Sequence, residues 1–239
     1  MFDIKTRGQT IPPTSALYVV TGICVILTAG LFALARQSGW TRGELYGGLF
    51  ISQVLVHVVC VALWNPVVLR RRTVVNRERL RGTKIWDHLW GASTILCVYA
   101  VYVVLTGDFN TPARRLGLPG LVWLLGSTFF VSGWILVSWS MIANPFFEKT
   151  VRIQRELGHR VVDSGTYAFV RHPGYVGASA IILSTPVLFG SVWTALPIGV
   201  MELLLVIRTL LEDRMLHAEL PGYAEYATKV RFRLIPYVW

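Results

Sequence analysis

Long apolar runs constrain this chain most, because each is long enough to cross a lipid bilayer. Four of them, of 20, 25, 19 and 27 residues, carry no acidic or basic side chain except His57: Ala16–Ala35, Leu45–Leu69, Leu89–Gly107 and Leu118–Asn144. A helix of about 20 apolar residues spans the hydrocarbon core. The first run is not expected to be a signal peptide, because further spans follow it. The sequence therefore predicts an all-α, polytopic membrane bundle.

Two shorter apolar runs follow, and they differ from the first four in carrying breaks. They are Pro173–Gly190 and Ser191–Leu211, and the second contains Glu202 and Arg208. The turn at Phe189-Gly190-Ser191 between them is only a few residues long, so we predict a tight hairpin. This hairpin either spans the membrane fully or is partly re-entrant. The total is about six transmembrane segments.

The basic residues are distributed unequally across these predicted segments. The net charge is +10, with 23 Lys and Arg against 13 Asp and Glu. With a cytoplasmic N-terminus, only four basic residues fall outside: Arg36, Arg42, Arg114 and Arg115. This is the positive-inside pattern, so the charge is explained by orientation and by contacts with membrane lipids rather than by nucleic-acid binding. We expect an integral protein of the inner or plasma membrane if bacterial, with both termini cytoplasmic.

The cysteines give no sign of a metal site or a disulfide. Cys24, Cys60 and Cys97 all lie inside predicted spans, and no CxxC spacing is present. Buried free cysteine usually behaves as a small apolar residue. We expect no metal and no disulfide in this protein.

The chain divides into two parts by the density of its polar residues. Residues 1–117 read as membrane scaffold, and the loop 70–90 reads mainly as a basic cytoplasmic loop that fixes topology. Residues 118–239 hold most of the polar chemistry, and this part includes the segment "NPFFEKTVRIQRELGHRVVDSGTYAFVRHPGY". Pro145 ends one helix and Pro173 suits the first turn of the next. We therefore predict a cytoplasmic loop over 144–172 that holds a binding pocket.

Ionisable residues within the membrane segments are candidates for function, because burying them is costly. Arg208 and Glu212 are four positions apart, so they share one helix face and can form an ion pair. The hairpin brings Glu212 to the same membrane face as His172. Glu202 lies deeper and either faces another cavity or bonds to a neighbouring helix. His57 is more readily explained by a hydrogen bond between helices than by catalysis.

Three sequence motifs together resemble a known family. "GTYAFVRHPGYVG" is followed about 30 residues later by "RTLLED" and then by "PGYAEYATKVRFRLIP". This pattern, within residues 144–239, resembles the isoprenylcysteine carboxyl methyltransferase and phospholipid methyltransferase superfamily of integral-membrane enzymes. The resemblance implies the cofactor S-adenosylmethionine, bound in a cytoplasmic pocket beneath the last two membrane helices and the tail. It also implies a lipophilic methyl acceptor that reaches the site from the bilayer.

The resemblance also implies a role for individual residues. Arg208 would face the methyl acceptor and Glu212 would hold Arg208, so both are the expected catalytic residues, and Glu212 would also contact the cofactor. The other expected cofactor contacts lie in the 144–175 segment: Gln154, His159, Arg160, Val161, Val162, Tyr167, His172, Pro173 and Tyr175. The helix that starts at Pro173 would direct its positive end towards the carboxylate of the cofactor.

One departure from the family pattern concerns the acidic pair on the last helix. Many members carry two or more glutamates where this chain has Glu212 and Asp213, and the shorter Asp213 would then alter the contact with the amine of the cofactor. The tail is also similar to that of membrane sterol reductases, which use NADPH and typically lack proline after Arg-His. Pro173 favours methyl transfer.

The sequence leaves the chemical class of the methyl acceptor open. The family name favours the carboxylate of a prenylcysteine-like or isoprenoid substrate, while a phospholipid amine and a small thiol are rivals. A carboxylate is already ionised, so it needs a cation to orient it rather than a base; an amine would need a proton removed, for which Glu212 or Glu202 is suited. An NADPH-dependent reductase and a non-enzymatic membrane protein are the competing classes.

Overall fold

A computed structural model describes residues 41–73, 82–110 and 116–239, and these are all-helical, without a β-strand. The first predicted segment, Ala16–Ala35, and Cys24 lie outside the described residues. Seven α-helices follow one another in this part of the chain: α1 (Thr41–Trp64), α2 (Pro66–Thr73), α3 (Ile85–Asn110), α4 (Gly120–Ala143), α5 (Pro173–Phe189), α6 (Ala195–Glu219) and α7 (Tyr223–Lys229). Two short 3₁₀ turns, Arg155–Leu157 and Gly165–Ala168, lie in the loop before α5.

Three of these helices have the length and composition of a membrane span. They are α1, α4 and the first 21 residues of α3, over Ile85–Leu105, and each matches one of the long apolar runs. Helix α5 has 17 residues, so it rises about 26 Å at 1.5 Å per residue, short of the roughly 30 Å core. The prediction of membrane helices is thus confirmed for three segments, and the total of six stays a prediction.

The predicted hairpin is formed by α5 and α6. Gly190 ends α5 in the left-handed region, with φ 65°, where glycine is favoured. The Ser191 N–H then donates to the Pro186 carbonyl at 3.1 Å, and the Thr194 hydroxyl donates to the Ser191 carbonyl at 2.8 Å. These bonds reverse the chain within five residues, from 190 to 194, so both helices present the ends nearest His172 and Glu212 to one side.

Helices α4 and α5 approach each other more closely than any side chain would allow. A Cβ built on Gly177 would lie 2.6 Å from the carbonyl oxygen of Gly133, and one on Gly133 would lie 2.7 Å from that of Gly177. Small residues let membrane helices pack backbone to backbone in this way. The contact fixes α5, and with it the start of the candidate site, against the longest apolar run.

We expect Gly177→Ala to destabilise the protein by about 1–3 kcal/mol, because the added methyl group would overlap backbone atoms that cannot rotate away. Thermal unfolding in detergent measures the loss. Gly199→Ala is the matched control, because a Cβ there meets no atom within 4 Å. An equal melting temperature for the two variants would contradict the close contact.

His57 is explained by packing between helices, as the sequence analysis favoured. Its Nδ1 lies 2.7 Å from the hydroxyl of Ser138 on α4, and its ring meets the Trp134 ring edge-on at 5.3 Å. Neither His57 nor these partners lie at the cavity described below.

Candidate active site

A cavity of about 470 Å³ lies where the loop 144–162, the start of α3 and the facing ends of α5 and α6 meet. Its volume falls in the usual range for small-molecule sites, about 300–1,000 Å³. Ten of the residues expected from the family resemblance line it: Gln154, His159, Arg160, Val161, Val162, Tyr167, His172, Tyr175, Arg208 and Glu212. Pro173 is the exception.

Pro173 shapes the site without lining the cavity. It is almost fully buried and occupies the first turn of α5. Residues of the first turn donate no hydrogen bond within the helix, so the missing N–H of proline costs nothing there. His172 precedes it as the N-cap residue, and the His172 N–H donates to the carbonyl of Arg233 in the tail at 3.0 Å. Pro173 thus starts α5 in the structure, and its expected contact with a cofactor stays a prediction.

The loop after α4 turns a buried glutamine towards the cavity. Helix α4 ends at Ala143, and the side chain of Asn144 accepts a hydrogen bond from the Phe146 N–H at 2.8 Å. Gln154 is 1% exposed, and its Nε2 donates to the Phe146 carbonyl at 2.6 Å. Its Oε1 is buried and has no hydrogen-bond partner within the described residues. Buried polar atoms are normally paired, so this oxygen is placed to accept from a ligand.

His159 is held as a neutral ring beside that glutamine. It stacks on Phe146 with 4.6 Å between ring centroids, and its Nδ1 accepts a hydrogen bond from the Gln154 N–H at 3.3 Å. Burial, with the positive charge of Arg152 nearby, lowers the pKa of His159 to about 4. Because Nδ1 is the acceptor, the proton of the neutral ring sits on Nε2, which is therefore a donor.

Acid should destabilise the loop through His159. The folded pKa, about 4, lies below the unfolded value of 6.5, so the unfolded chain binds more protons between these pH values. The contribution of His159 to stability is thus fully present above pH 6.5 and falls as the pH drops towards 4. Melting temperatures measured over this range should decline less steeply in His159→Asn, whose amide oxygen can replace Nδ1 as acceptor. An unchanged slope in that variant would contradict the assignment.

Tyr167 is fixed between the loop and the tail. Gly165, with φ 61°, begins the 3₁₀ turn that carries it. Asn144 Nδ2 donates to the Tyr167 hydroxyl at 3.2 Å, and the Tyr226 hydroxyl donates to the Tyr167 carbonyl at 2.6 Å. Burial raises the pKa of Tyr167, so its hydroxyl stays protonated and can donate to a ligand.

The tail closes the loop side of the cavity with an apolar cluster. Leu220, Tyr223 and Tyr226 are buried together, and partly buried residues pack against them: Ile153, Val161, Leu216 and Val230. Val161 therefore lies between the tail and the cavity, Val162 also lines the cavity, and Arg160 is exposed at the rim.

Asp213 does not reach the cavity, which corrects the expectation that it alters a cofactor contact. It is 1% exposed and gathers Arg171, Arg233, His172 and Tyr223 around its two oxygens. Arg171 Nε lies 2.9 Å from Oδ1 and Arg233 Nε lies 2.8 Å from Oδ2, while the Tyr223 hydroxyl donates to Oδ1 at 2.9 Å. Successive residues of a helix point about 100° apart, so Asp213 faces the tail while Glu212 faces the cavity.

Glu212 pairs with Tyr175 across the hairpin. The Tyr175 hydroxyl donates a short hydrogen bond to Glu212 Oε2, and the Tyr175 ring lies nearly parallel to that of His172, at an interplanar angle of 13°. The contact connects α5 to α6 at the cavity wall. It places a carboxylate where the resemblance implies a cofactor contact.

Arg208 is held by Asp87, not by Glu212, which corrects the expected pair. Its Nη2 lies 2.9 Å from Asp87 Oδ1 and donates to the Lys149 carbonyl at 2.7 Å. The N–H groups are not aligned on Asp87 Oδ1, which has no hydrogen bond among the described residues, so the attraction is mainly between charges. The guanidinium also lies over the Trp90 ring, 3.8 Å from Cζ to the centroid. Asp87 lies on α3 and Arg208 on α6, so the ion pair joins two helices that also pack together.

Glu202 bonds to the neighbouring helix and does not line the cavity. Its Oε1 accepts a hydrogen bond from the Ser179 hydroxyl on α5 at 2.6 Å. Of the two alternatives left open by the sequence, the structure supports this interhelical bond. Glu202→Gln should leave the acceptor KM and the turnover unchanged, because an amide oxygen can still accept from Ser179. Steady-state kinetics of the two proteins tests this, and a tenfold change in either parameter would contradict it.

No group of three or more His, Cys, Asp or Glu residues in 41–73, 82–110 and 116–239 is placed to hold a metal ion. Cys60 and Cys97 are free thiols.

Comparison with known proteins agrees with this geometry. Residues 125–218, which is 94 of the 239 residues, match the model of the isoprenylcysteine carboxyl methyltransferase (ICMT) family. No curated protein sequence matches the chain at a significant level.

A solved structure shares the fold over most of the chain. It is that of the eukaryotic intramembrane Ras methyltransferase ICMT, solved without a monobody. The TM-score is 0.61 at 18% sequence identity, over 93% of this chain and 77% of that chain. The region matched by the family model contains most of the cavity residues. Residues 125–218 are thus similar to the isoprenylcysteine carboxyl methyltransferase family, and the chain shares the fold of an intramembrane methyltransferase of that name.

Proposed function

We propose that this protein transfers a methyl group from S-adenosylmethionine to the carboxylate of a prenylcysteine-like or isoprenoid lipid. One observation carries the proposal: a single cavity joins a polar loop to an apolar space between membrane helices, with Arg208 between the two. The apolar part is lined by residues of four helices: Thr94, Val137, Ala178, Ile182, Met201 and Leu205. The excess of basic residues on the predicted cytoplasmic side supports a cytoplasmic position for the polar part of the cavity.

The polar part suits a ligand that carries amine groups and a positive centre. Gln154 offers a buried, unpaired carbonyl oxygen, and Glu212 offers a carboxylate at the wall. His159 Nε2 and the Tyr167 hydroxyl offer hydrogen-bond donors for carboxylate or hydroxyl groups. S-adenosylmethionine contains all of these group types, so the residues present fit it. Gln154, His159, Tyr167 and Glu212 are the residues proposed to hold it.

When bound, S-adenosylmethionine would supply the methyl group: as the acceptor oxygen attacks the methyl carbon in line, the bond from carbon to the sulfonium sulfur breaks and the thioether S-adenosylhomocysteine leaves. Arg208 would orient the acceptor carboxylate, which is already ionised and needs no base. Helices α3, α5 and α6 would hold the lipid chain of the acceptor in the apolar part and exclude water from the carboxylate. The chain would thus contribute mainly alignment, which is the largest requirement of a two-substrate displacement.

Calorimetry with detergent-purified protein tests the cofactor. We expect S-adenosylmethionine to bind the wild type, and Glu212→Ala and Gln154→Leu to weaken it at least tenfold, since each removes a buried polar partner. Arg214→Gln is the matched control on α6, because Arg214 is exposed and does not line the cavity. Binding of NADPH instead, by a folded wild type, would overturn the proposal in favour of a reductase.

Radiolabelled methyl transfer to three acceptor classes tests the substrate. We expect an N-acylated S-prenylcysteine or an isoprenoid acid to be methylated, and a phosphatidylethanolamine or a small alkyl thiol to be poor acceptors. The reason is that Arg208 complements a carboxylate and repels a protonated amine. Preferential methylation of the amine or the thiol would move the acceptor to one of the alternative classes while leaving the methyltransferase chemistry intact.

A further inference from the structure

Two residues from the part of the chain that the sequence assigns to scaffold contact Arg208. Asp87 and Trp90 lie three positions apart on the first turns of α3, so they share a helix face. Asp87 is 4% exposed, and Trp90 lines the cavity. We infer that Asp87 and Trp90 are positioning residues for methyl transfer, which fix the Arg208 guanidinium in the plane that receives the acceptor. The inference rests on the proposed function.

Asp87 contacts both sides of the site through one carboxylate. Its Oδ1 lies 2.9 Å from Arg208 Nη2, and its Oδ2 accepts a hydrogen bond from the Val151 N–H at 2.8 Å. Val151 belongs to the loop that carries Gln154 and His159, the proposed cofactor residues. Asp87 therefore ties the acceptor-side cation to the cofactor-side loop, so the two reactants are placed relative to one another by a single side chain.

Trp90 and Tyr175 fix the plane of the guanidinium. Arg208 Cζ lies 3.8 Å from the centroid of Trp90 and 5.5 Å from that of Tyr175. A cation over an aromatic face is attracted by the negative charge of the ring face. Arginine stacks in this way better than lysine, because its guanidinium is flat. With its plane fixed by the rings, the guanidinium can rotate only within that plane.

The two contacts of Nη2 remove that remaining freedom. Nη2 is held by Asp87 and by the Lys149 carbonyl, while no described residue accepts a hydrogen bond from Nε, which is buried. A buried donor without a partner is costly. The edge formed by Nε and Nη2 thus keeps one unpaired donor, the Nε–H, which an acceptor carboxylate can satisfy. Asp87 thereby fixes the direction of the remaining hydrogen bonds of Arg208, which adds geometric selection to the charge selection proposed above.

A purely structural ion pair between α3 and α6 is the rival interpretation, and Asp87→Asn separates the two. The amide oxygen can still accept from the Val151 N–H, so the variant removes the charge beside Arg208 and leaves the loop anchored. We expect the Kd for S-adenosylmethionine to change less than threefold. We expect kcat/KM for the prenylated acceptor to fall at least 30-fold. Trp90→Leu should act in the same direction, and Trp90→Phe should retain most of the activity.

The matched control is Glu219→Gln. Glu219 pairs with Lys84 at 2.6 Å, which joins the residue before α3 to the end of α6, and neither residue lines the cavity. This variant removes an ion pair between the same two segments, so it should leave kcat/KM unchanged. A loss as large as that of Asp87→Asn would support the structural interpretation.

A double-mutant cycle gives the deciding result. If Asp87 acts through Arg208, Asp87→Asn should cause no further loss of kcat/KM in an Arg208→Gln protein, because the interaction is already absent. Removing both charges also avoids an unpaired buried ion, so this protein should fold if either single variant does not. Independent, multiplicative losses would overturn the inference. So would an Asp87→Asn protein with unchanged kcat/KM, although the proposed function would stand. A folded wild type that neither binds S-adenosylmethionine nor methylates any acceptor would overturn both.

Discussion

Replacing Asp213 with alanine is expected to lower the melting temperature of the detergent-solubilised protein by about 6–20 °C. Asp213 is the one carboxylate that Arg171 and Arg233 share, and both guanidinium groups bond to it within 3.1 Å. Removing one partner from a buried ion pair costs about 3–5 kcal/mol, because the remaining charge stays buried without compensation. In a chain of this size each kcal/mol corresponds to about 2–4 °C.

The loss of Asp213 should also release the tail from the start of α5. Arg171 donates to the carbonyls of Val230 and Arg231 at 2.9 and 2.8 Å, so the guanidinium that Asp213 orients is also a contact between α5 and the tail. Asp213→Asn keeps the shape and two acceptor lone pairs, so we expect an intermediate melting temperature. Glu225→Ala is the control: its ion pair with Lys229 is exposed, at 74% and 68%, and should not change the melting temperature. Equal melting temperatures for Asp213→Ala and Glu225→Ala would contradict this assignment.

Arg208→Gln is expected to lower kcat/KM for a prenylated carboxylate acceptor by about 100-fold or more. The guanidinium is 6% exposed and lines the cavity while lying over the Trp90 ring, where it is placed to contact the acceptor. Truncating one partner of a buried, hydrogen-bonded charge pair costs about 2–5 kcal/mol, and 1.4 kcal/mol is tenfold.

The distribution of that loss between the two substrates identifies the role of Arg208. Methyl-transfer kinetics should give most of the loss with the acceptor, while the Kd for S-adenosylmethionine measured by calorimetry stays within a few fold. Arg208→Lys should recover little, since an ammonium neither stacks flat on Trp90 nor binds a carboxylate through two parallel N–H groups. A variant that loses cofactor affinity and acceptor kcat/KM to the same extent would assign Arg208 to the cofactor instead.

The family resemblance could point to most residues of the loop because its motifs are continuous in the chain there. Gln154, His159 and Tyr167 lie within 14 positions, and two glycines with positive φ, Gly158 and Gly165, mark the turns that bring them to one wall. In a short segment with distinctive turns, the order of the residues largely determines which side chains lie near one another. The match of residues 125–218 to the family model confirms the resemblance, and it includes this segment.

Contacts between distant segments could not be predicted in the same way. Asp87 and Arg208 are 121 positions apart, and a lone aspartate in the basic loop 70–90 carries no local sign of its partner. The expected pairing of Arg208 with Glu212 follows from helix spacing alone, which ignores the charge that α3 brings to the same place. Packing determines which residue of another helix becomes the partner, and residue spacing along a single helix cannot identify that residue.

The adjacent acidic residues show a second limit. The sequence suggests that Glu212 and Asp213 form one acidic pair at the cofactor, yet Glu212 lines the cavity and Asp213 bonds to Arg233 of the tail. The difference of about 100° between neighbours on a helix decides this, and it can be assigned only when both sides of the helix are known.

The Asp213 cluster also determines when, during synthesis of the chain, the pocket can be completed. Its partners come from the start of α5, the end of α6, α7 and the tail, and the last of them is Arg233. On the ribosome, every described membrane helix has been synthesised before residue 233 is added. The pocket is therefore completed last, so a nascent chain halted at residue 230 would be inserted without being able to seal its cofactor loop.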